Sequence, residues 1–596
     1  MNFYKIFENF KYLFDYKVKK SIFFLIILLL IVSVFELLSL ATIPAYISYI
    51  ISGELSYLKV SYNNTIFTTN NIGNVIVIFI IFVFVIKAIF LLYVDYFELN
   101  LTKKIKVNLC NSLMKIYLKN KYKFFVDNNS SILSRNLIYE TSNSVNFIQC
   151  IITIFKELAL LIVIFILVFI YKPLLAILIL FSLIIGALFF YFFTFKVLKQ
   201  NSIQRIKAAG EVLKLINQSL GFIKDIKIFH KEKFFLNNYF KYTNIFESKL
   251  MVHALLSRLP KIFFELFGVI LIIGILFFIT TKDQSRDAFI ELLPFLGLIS
   301  AAIIKLLPSF KSISGSLTHI VAYNNSFFLI SEEIKKDYSE MIENKSRIFN
   351  RDNESLYALE LTNISFKYSD RAKPLDNISM KIKKNSITGI IGRSGAGKTT
   401  LINIILGLFN QEKGEIKINT VKKNEFFDNK IIAYVPQDIL ILDDKLKNNI
   451  AFGIDENQID EKRVFEVIEL AGLINFYNKN NNDLNISLGE QGVKISGGEK
   501  QRIGIARALY FKPEILILDE STSFLDNTTE DAILNEILKF KQKVSIIMIS
   551  HRLSTLKICD EIYYIEKGVF KDNDTLENLK MKYPEIETKK NKSYEK

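Results

Sequence analysis

A glycine-rich segment in the second half of the sequence has the spacing of a phosphate-binding loop. GRSGAGKT occupies residues 392–399 and fits G-x-x-x-x-G-K-[ST], between an apolar run at 387–391 and a helix-like run at 401–408. Glycines let backbone N–H groups surround phosphates, Lys398 can reach the outer phosphates, and the Thr399 hydroxyl can bind Mg²⁺. The segment therefore predicts a site for ATP and Mg²⁺. The residues predicted to surround the phosphates are Gly392, Arg393, Ser394, Gly395, Ala396, Gly397, Lys398, Thr399 and Thr400.

Two adjacent carboxylates follow a second apolar run, ILILDE at residues 515–520. Asp519 is suited to hold Mg²⁺, directly or through water, and Glu520 is placed to polarise an attacking water as a general base. Alone, such a segment could be the end of any buried strand. Together with the glycine-rich loop it predicts phosphoryl transfer to water, because that reaction needs mainly positioning and charge neutralisation.

A third segment, ISGGEKQR at residues 495–502, precedes another helix-like run. Backbone amides and the Ser496 hydroxyl at a helix N-terminus can bind an anion. With this segment in place, residues 359–570 resemble ATP-binding cassette proteins. Two positions depart from the commonest signature, Ile495 and Glu499, and Phe524 stands where a small residue is usual. No catalytic group is missing, so we expect ATP hydrolysis.

The resemblance also implies roles for residues that would be unremarkable alone, such as a strand tyrosine or a loop histidine. It implies that Tyr368 stacks on adenine and that Gln437 in YVPQD senses Mg²⁺ as a metal-site residue. Asp526 would lie in a loop that crosses a cassette dimer, and His551 would contact the γ-phosphate as a second catalytic group. The signature that caps ATP from the opposite subunit would comprise Ser496, Gly497, Gly498 and Glu499.

The first half of the sequence is rich in apolar runs, each long enough to cross a hydrocarbon core of about 30 Å as a helix. The chain has 596 residues, 51% of them hydrophobic, and a mean hydropathy of +0.29. The three cysteines lack metal-site spacing and indicate reduced thiols. The six predicted membrane spans are 21–50, 73–96, 147–171, 173–195, 261–280 and 288–308.

The predicted fold is therefore multi-domain. An all-α, six-helix transmembrane domain of the exporter type would be followed by an α/β P-loop ATP-binding cassette domain. The predicted boundaries are 1–330 for the transmembrane domain with two long cytoplasmic connections, 331–357 for a linker, 358–580 for the nucleotide-binding domain and 581–596 for a charged tail.

Lysine and arginine are concentrated at the N-terminus and in the connections 99–140 and 196–260. Positive charge favours the cytoplasmic side, so the sequence predicts an inner-membrane protein with a cytoplasmic N-terminus and cassette. The net charge of +16 flanks the apolar spans, which argues against nucleic-acid binding. Each connection carries an apolar patch, at 124–133 and 221–229, that could pack on neighbouring helices or dock a cytoplasmic domain. Because one chain has one set of cassette motifs, the resemblance implies a homodimer.

Three lysines lie within or beside predicted spans, where a charge costs roughly 2.5–3.5 kcal/mol at the bilayer centre on insertion scales. Lys87, Lys261 and Lys305 are all expected in the inner-leaflet half, and we predict that they line one cavity for an anionic lipid head group. Structural ion pairs are the alternative. The available partners are Glu36, Glu157 and Glu265.

Segments 35–50, 258–266 and 294–313 look like those of the PglK-type flippases of lipid-linked oligosaccharides. That resemblance implies an ATP-driven homodimer that moves a polyprenyl-pyrophosphate glycan from the inner to the outer leaflet, with membrane lipid around it. It also implies a short external helix within 51–72. An ABC exporter of another lipid, a peptide or a drug is the alternative. A cassette that powers a non-transport task, or a receptor that binds ATP without hydrolysis, fits the six spans and the catalytic residues less well.

Overall fold

The computed structural model divides the chain into two units, and each is described by itself. The first comprises Met1–Asn120 and Phe124–Met341, and the second comprises Lys121–Lys123 and Ile342–Lys596. The structure describes residues 8, 10, 12–52, 69–171, 173–282, 286–340, 347–350, 355–368, 374–419, 431–489, 492–520, 530, 534–536, 538, 541–550 and 552–586, with a smaller set of side chains.

Among these residues the first unit consists of six long helices and several short helical segments. The short segments lie in the two connections that were predicted to leave the membrane. The elements are α1 (Tyr16–Ser52), α2 (Thr69–Lys119), α3 (Tyr122–Asp127), α4 (Ser130–Arg135), a π-helical segment (Asn136–Glu140), α5 (Thr141–Tyr171), α6 (Pro173–Gly221), α7 (Ile223–Ile228), α8 (Glu232–Lys282) and α9 (Arg286–Glu340).

Three stretches of the described helices are long and apolar enough to cross a membrane: Tyr16–Thr42, Ile76–Lys119 and Ser130–Ile170. They overlap the first three predicted spans. The other three predicted spans lie within α6, α8 and α9, where most side chains fall outside the described set. The external helix predicted within 51–72 also lies largely outside the described residues.

The core of the first unit lies where α1, α2, α5 and α9 meet. The rings of Phe147 and Phe327 are fully buried and stack with centroids 4.6 Å apart. Ile330 and Ile334 continue this buried face of α9. Since α9 keeps packing on the core, it extends to Glu340, well into the segment 331–357 that the sequence assigned to a linker.

The second unit contains two sheets. A four-stranded sheet has the order β1-β5-β2-β3, and a six-stranded sheet has the order β10-β9-β4-β8-β7-β6, parallel except at the β10 edge. The strands are β1 (Arg347–Asn350), β2 (Tyr357–Phe366), β3 (Leu375–Lys383), β4 (Ile387–Ile391), β5 (Lys413–Asn419), β6 (Ile432–Val435), β7 (Ile515–Asp519), β8 (Ser545–Ile549), β9 (Glu561–Glu566) and β10 (Val569–Asp574).

Strands β4, β7 and β8 are mainly apolar and all of their residues are buried, as expected for parallel strands covered on both faces. The carboxyl ends of parallel strands meet at one edge, where α/β proteins bind ligands. The helices are α10 (Lys398–Ile405), α11 (Leu446–Ile450), α12 (Glu461–Leu470), α13 (Ile474–Lys479), α14 (Gly497–Tyr510), α15 (Leu553–Leu556) and α16 (Leu576–Lys582), with 3₁₀ turns at Glu456–Gln458 and Pro584–Ile586.

Candidate nucleotide-binding site

The glycine-rich loop joins the carboxyl end of β4 to the first turn of α10. Gly397 has φ +97°, and a Cβ there would lie 2.6 Å from the Pro374 carbonyl oxygen, so glycine is required. The Lys398 ammonium donates hydrogen bonds to the carbonyl oxygens of Gly392 at 2.8 Å and Arg393 at 3.2 Å. This buried ammonium therefore spans the loop at the place where the motif positions phosphates.

Asp519 ends β7, and its side chain is buried. The Tyr434 hydroxyl donates a hydrogen bond to Asp519 Oδ2 at 3.1 Å. Burial raises the pKa of Asp519, and the nearby Glu520 charge raises it further, whereas the Tyr434 hydrogen bond and Lys398 oppose this shift. A buried carboxylate beside a second carboxylate suits a divalent cation with oxygen ligands. These residues therefore fit Mg²⁺.

Glu520 adopts a left-handed backbone conformation, φ +47°, which is unusual for a residue other than glycine. Its backbone N–H donates to the Ile549 carbonyl oxygen at 3.0 Å, which anchors the turn to the end of β8. The Gln437 side-chain amide, from the loop after β6, donates to Glu520 Oε2 at 3.0 Å. The strained turn and this hydrogen bond together aim the carboxylate, as occurs at functional sites.

Tyr368 lies just after β2, and its side chain is 44% exposed. Its ring lies edge-on to Phe366 and Phe409, with centroids 5.1 and 5.3 Å away. Its hydroxyl shares a hydrogen bond with Thr400 Oγ1 at 3.0 Å, so the ring is tied to α10 next to the glycine-rich loop. A fixed aromatic ring with exposed surface can stack on a nucleotide base.

Ser496 is the N-cap of α14 and forms a capping box with Glu499. The Ser496 backbone N–H donates to Glu499 Oε2 at 2.7 Å, and the Glu499 backbone N–H donates to Ser496 Oγ at 3.3 Å. Ser496 and Gly497 are exposed. The predicted signature therefore presents a helix N-terminus at the surface of the unit.

Two predicted site features, His551 and the dimer-crossing loop with Phe524 and Asp526, lie outside the described residues. Four predicted site residues lie at this edge: Gln437 bonds Glu520, and Glu520 and Lys398 both act electrostatically on Asp519.

Two further residues of this region were not predicted. Tyr434, which orients Asp519, is in the YVPQD segment, but nothing in the sequence indicated its partner. Glu530 is buried, bonds the Thr555 hydroxyl and pairs with Arg552 at 2.7 Å, next to the predicted His551. A lone acidic residue ten positions after the predicted general base carries no signal in the sequence, because its burial is set by tertiary packing.

The first unit brings together two of the three predicted membrane cations. The Lys87 ammonium donates to Glu36 Oε2 at 2.6 Å and to Ser39 Oγ at 3.0 Å, and both members of this ion pair are buried. The Lys305 ammonium lies 3.3 Å from Glu36 Oε1, with 40% of its side chain exposed. Two ammonium groups thus share one carboxylate. The side chain of Lys261 is outside the described residues.

Two family models match the chain. The model of the ABC transporter transmembrane region matches residues 23–305, and the ABC transporter model matches residues 375–523. The chain belongs to the ABC transporters. The transmembrane match contains Lys87 and Lys305, and the cassette match contains the glycine-rich loop, the signature and both carboxylates.

Curated relatives resemble parts of this ABC transporter. A Rickettsia prowazekii protein, whose name describes an export ATP-binding/permease protein, is 43% identical over 223 residues, which are 36% of this chain and 38% of that protein. The match with this protein and with similar Rickettsia proteins thus spans about two fifths of their length. An ATP-dependent lipid A-core flippase of Coxiella burnetii is 29% identical over 380 residues, 63% of this chain and 62% of that protein.

A solved structure shares the fold of this ABC transporter. It is a bacterial Atm1-family ABC exporter with ATP bound, with a TM-score of 0.78 and 17% identity, and the match covers 96% of this chain and 98% of that chain. The predicted fold class, a helical transmembrane domain followed by an α/β P-loop domain, is confirmed.

Proposed function

We propose that this ABC transporter binds ATP with Mg²⁺ and hydrolyses it to drive transport across or within a membrane. The observation that carries this proposal is the meeting of Lys398, Gln437, Asp519 and Glu520 at one sheet edge. In this mechanism Lys398 neutralises the outer phosphates, while Glu520 accepts a proton from the attacking water.

Thr399, Gln437 and Asp519 would hold the Mg²⁺, which supplies charge neutralisation at the transferred phosphoryl group when bound. Tyr434 keeps Asp519 oriented through its hydrogen bond. The exposed N-terminus of α14 would bind the ATP of a second copy, so the working unit is a homodimer. ATP then stabilises the closed pair of cassettes and hydrolysis releases it, which biases a two-state membrane domain.

For the cargo, the proposal is a polyprenyl-pyrophosphate-linked oligosaccharide moved from the inner to the outer leaflet of the inner membrane. The Glu36 carboxylate balances one of the two ammonium charges of Lys87 and Lys305, so these three residues together carry one positive charge. Lys305 is the more exposed of the two, and an intramembrane cation usually faces a cavity or a partner. The lipid-flippase relatives favour a lipid cargo. Another lipid, a peptide or a drug is the second candidate.

The orientation in this proposal follows the positive charge flanking the spans, with the N-terminus and cassette in the cytoplasm. The apolar patches of the two connections fold as short helices, and Phe125 and Phe229 are exposed on them. In the proposal these patches transmit the motion of the cassettes.

Stimulation of ATP hydrolysis tests the cargo. The purified transporter in nanodiscs receives a polyprenyl-pyrophosphate glycan, or the same glycan on uncharged polyprenol as a matched control. We expect stimulation by the pyrophosphate form alone. Equal stimulation by both lipids, or by neither while a peptide or drug stimulates, would overturn the proposed cargo and favour the second candidate.

A further inference from the structure

A second basic cluster lies in the parts of α6, α8 and α9 that extend beyond their apolar spans. It surrounds the ring of Tyr323. The Arg205 guanidinium carbon lies 5.2 Å from the centre of this ring, and the His319 ring stacks on it at 5.6 Å. The His253 ring lies 4.7 Å from His319 and 5.9 Å from Tyr323. Three helices thus direct nitrogen-bearing groups to one place. We call Arg205, His253 and His319 the arginine–histidine cluster.

One nitrogen atom of each cluster residue is buried and has no hydrogen-bond partner among the described residues. Arg205 and His253 are 6% and 8% exposed, and His319 is half-buried. Arg205 Nη2, His253 Nε2 and His319 Nδ1 have no hydrogen-bond partner among the described residues. Leaving buried polar groups unpaired is costly, by about 1–3 kcal/mol for each neutral group and more for a charged one. Three such atoms close together indicate a place where a ligand can bind.

The surroundings of the cluster favour an anion. His319 and Arg205 act electrostatically on His253, and Arg205 acts on His319, so no carboxylate of the described residues acts on either imidazole. Arg205, Cys150 and Asn146 act on Tyr323, and none of the three is a carboxylate. None of the ion pairs between described residues includes Arg205, so its charge has no carboxylate counterpart there. A metal ion fits poorly, because no metal-ligating group of three or more residues is found in the described part of the chain.

We propose that the arginine–histidine cluster is a binding site for a phosphate-type oxyanion, either free phosphate or the phosphate of a lipid head group. The guanidinium offers a planar pair of donors, and each imidazole becomes a donor on both nitrogens when protonated. An anion with several oxygens offers an acceptor to each of the three nitrogen atoms. This site is separate from the ATP site and from Lys305, and it stands whether or not the proposed cargo is correct.

Binding at this site takes up protons. Burial, followed by the charges of His319 and Arg205, lowers the pKa of His253 to about 4, and burial and Arg205 lower that of His319. Both imidazoles are therefore neutral at pH 7 without a ligand. An oxyanion favours their protonated forms, so the site binds more tightly as the pH falls from 8 to 6.

Phosphate titration of the full-length transporter in detergent tests this inference. The starting protein carries Lys398→Ala, which removes the phosphate-binding lysine of the ATP site, and contains no nucleotide. We expect saturable binding of inorganic phosphate by calorimetry, tighter at pH 6 than at pH 8. Adding Arg205→Gln should weaken it about tenfold or more, the effect of losing a hydrogen bond to a charged group. Adding Arg258→Gln, at an exposed position on α8, should leave it unchanged.

A short-chain phosphatidic acid, added below its micelle concentration, distinguishes the two sources. Displacement of bound phosphate assigns the site to a lipid head group, and no displacement assigns it to free phosphate. If Arg205→Gln fails to fold, His319→Gln at its half-buried position is the deciding variant. Absence of phosphate binding, or binding unchanged by both substitutions, overturns the inference, as does binding independent of pH.

Discussion

The shared carboxylate of Glu36 makes different predictions for its two lysine partners. Lys87 and Glu36 are both buried and 2.6 Å apart, whereas Lys305 is 3.3 Å away and 40% exposed. In Lys305→Met, Glu36 keeps its buried partner, and the cluster loses its excess positive charge. In Lys87→Met, the buried Glu36 carboxylate must depend on the more distant and more exposed ammonium of Lys305. We therefore expect Lys305→Met to affect transport and Lys87→Met to affect folding.

The magnitudes follow from these exposures. Losing a half-exposed ion pair costs at most about 1 kcal/mol of stability. Breaking a buried ion pair costs about 3–5 kcal/mol of stability. In Lys87→Met the loss of stability should be smaller than this, because the Lys305 ammonium remains near Glu36. For transport, a hydrogen bond from Lys305 to a charged cargo is worth about 1.5–3 kcal/mol, so flipping should fall about 10- to 100-fold in Lys305→Met.

The assays are thermal unfolding in detergent, basal ATP hydrolysis and flipping of a fluorescent polyprenyl-pyrophosphate glycan in vesicles. Lys305→Met should keep its unfolding midpoint and basal hydrolysis while losing flipping. Lys305→Arg, which preserves the charge, is the matched control and should retain most flipping. The reasoning is refuted if Lys305→Met unfolds as readily as Lys87→Met, or loses hydrolysis and flipping equally.

Three further predictions concern titratable groups of both units. Glu520→Gln should lower ATP hydrolysis by about 100-fold or more, measured by phosphate release, because the general base is lost. Nucleotide binding, measured with fluorescent ATP, should persist. Retained hydrolysis would exclude Glu520 as the general base. Tyr434→Phe removes a hydrogen bond that lowers the pKa of Asp519, so the acidic side of the curve of hydrolysis rate against pH should move to higher pH. An unchanged curve would contradict this. The pKa of His253 is lowered to about 4 in the folded protein, so the unfolded chain binds the extra proton first as the pH falls. The free energy of unfolding should therefore decline by about 3 kcal/mol between pH 6.5 and pH 4 in phosphate-free buffer. His253→Gln should reduce this decline.

The cassette was the more predictable half of this transporter. Its motifs follow apolar runs that form adjacent parallel strands, so the order of the motifs already places Lys398, Gln437 and Asp519 at one edge. The role of Tyr434 was not predictable, because a tyrosine in a short strand has no periodic or spacing signal for its partner. The same holds for Glu530, whose burial depends on the packing of the loop that carries Arg552.

The transmembrane half was predictable in its helices and less so in its contacts. The sequence named Glu36 among three possible partners of the membrane lysines, but the choice depends on how each helix is rotated and how far it is displaced along its axis. In the structure α9 continues to Glu340, and Ile334 within the polar, charged segment 331–357 is buried, which the composition of that segment did not indicate. The arginine–histidine cluster combines residues from three helices that are far apart in the sequence, so only the packed structure reveals it.

The most direct test of the account is the rate of ATP-driven flipping in reconstituted vesicles. A fluorescent polyprenyl-pyrophosphate glycan is placed in both leaflets, and its exposure to an external quencher is followed with Mg-ATP. We predict net movement into one leaflet by the unaltered transporter and none by the Glu520→Gln protein. Equal movement by the two proteins, or movement independent of ATP, would contradict coupling of the cassette site to a phosphorylated lipid cargo.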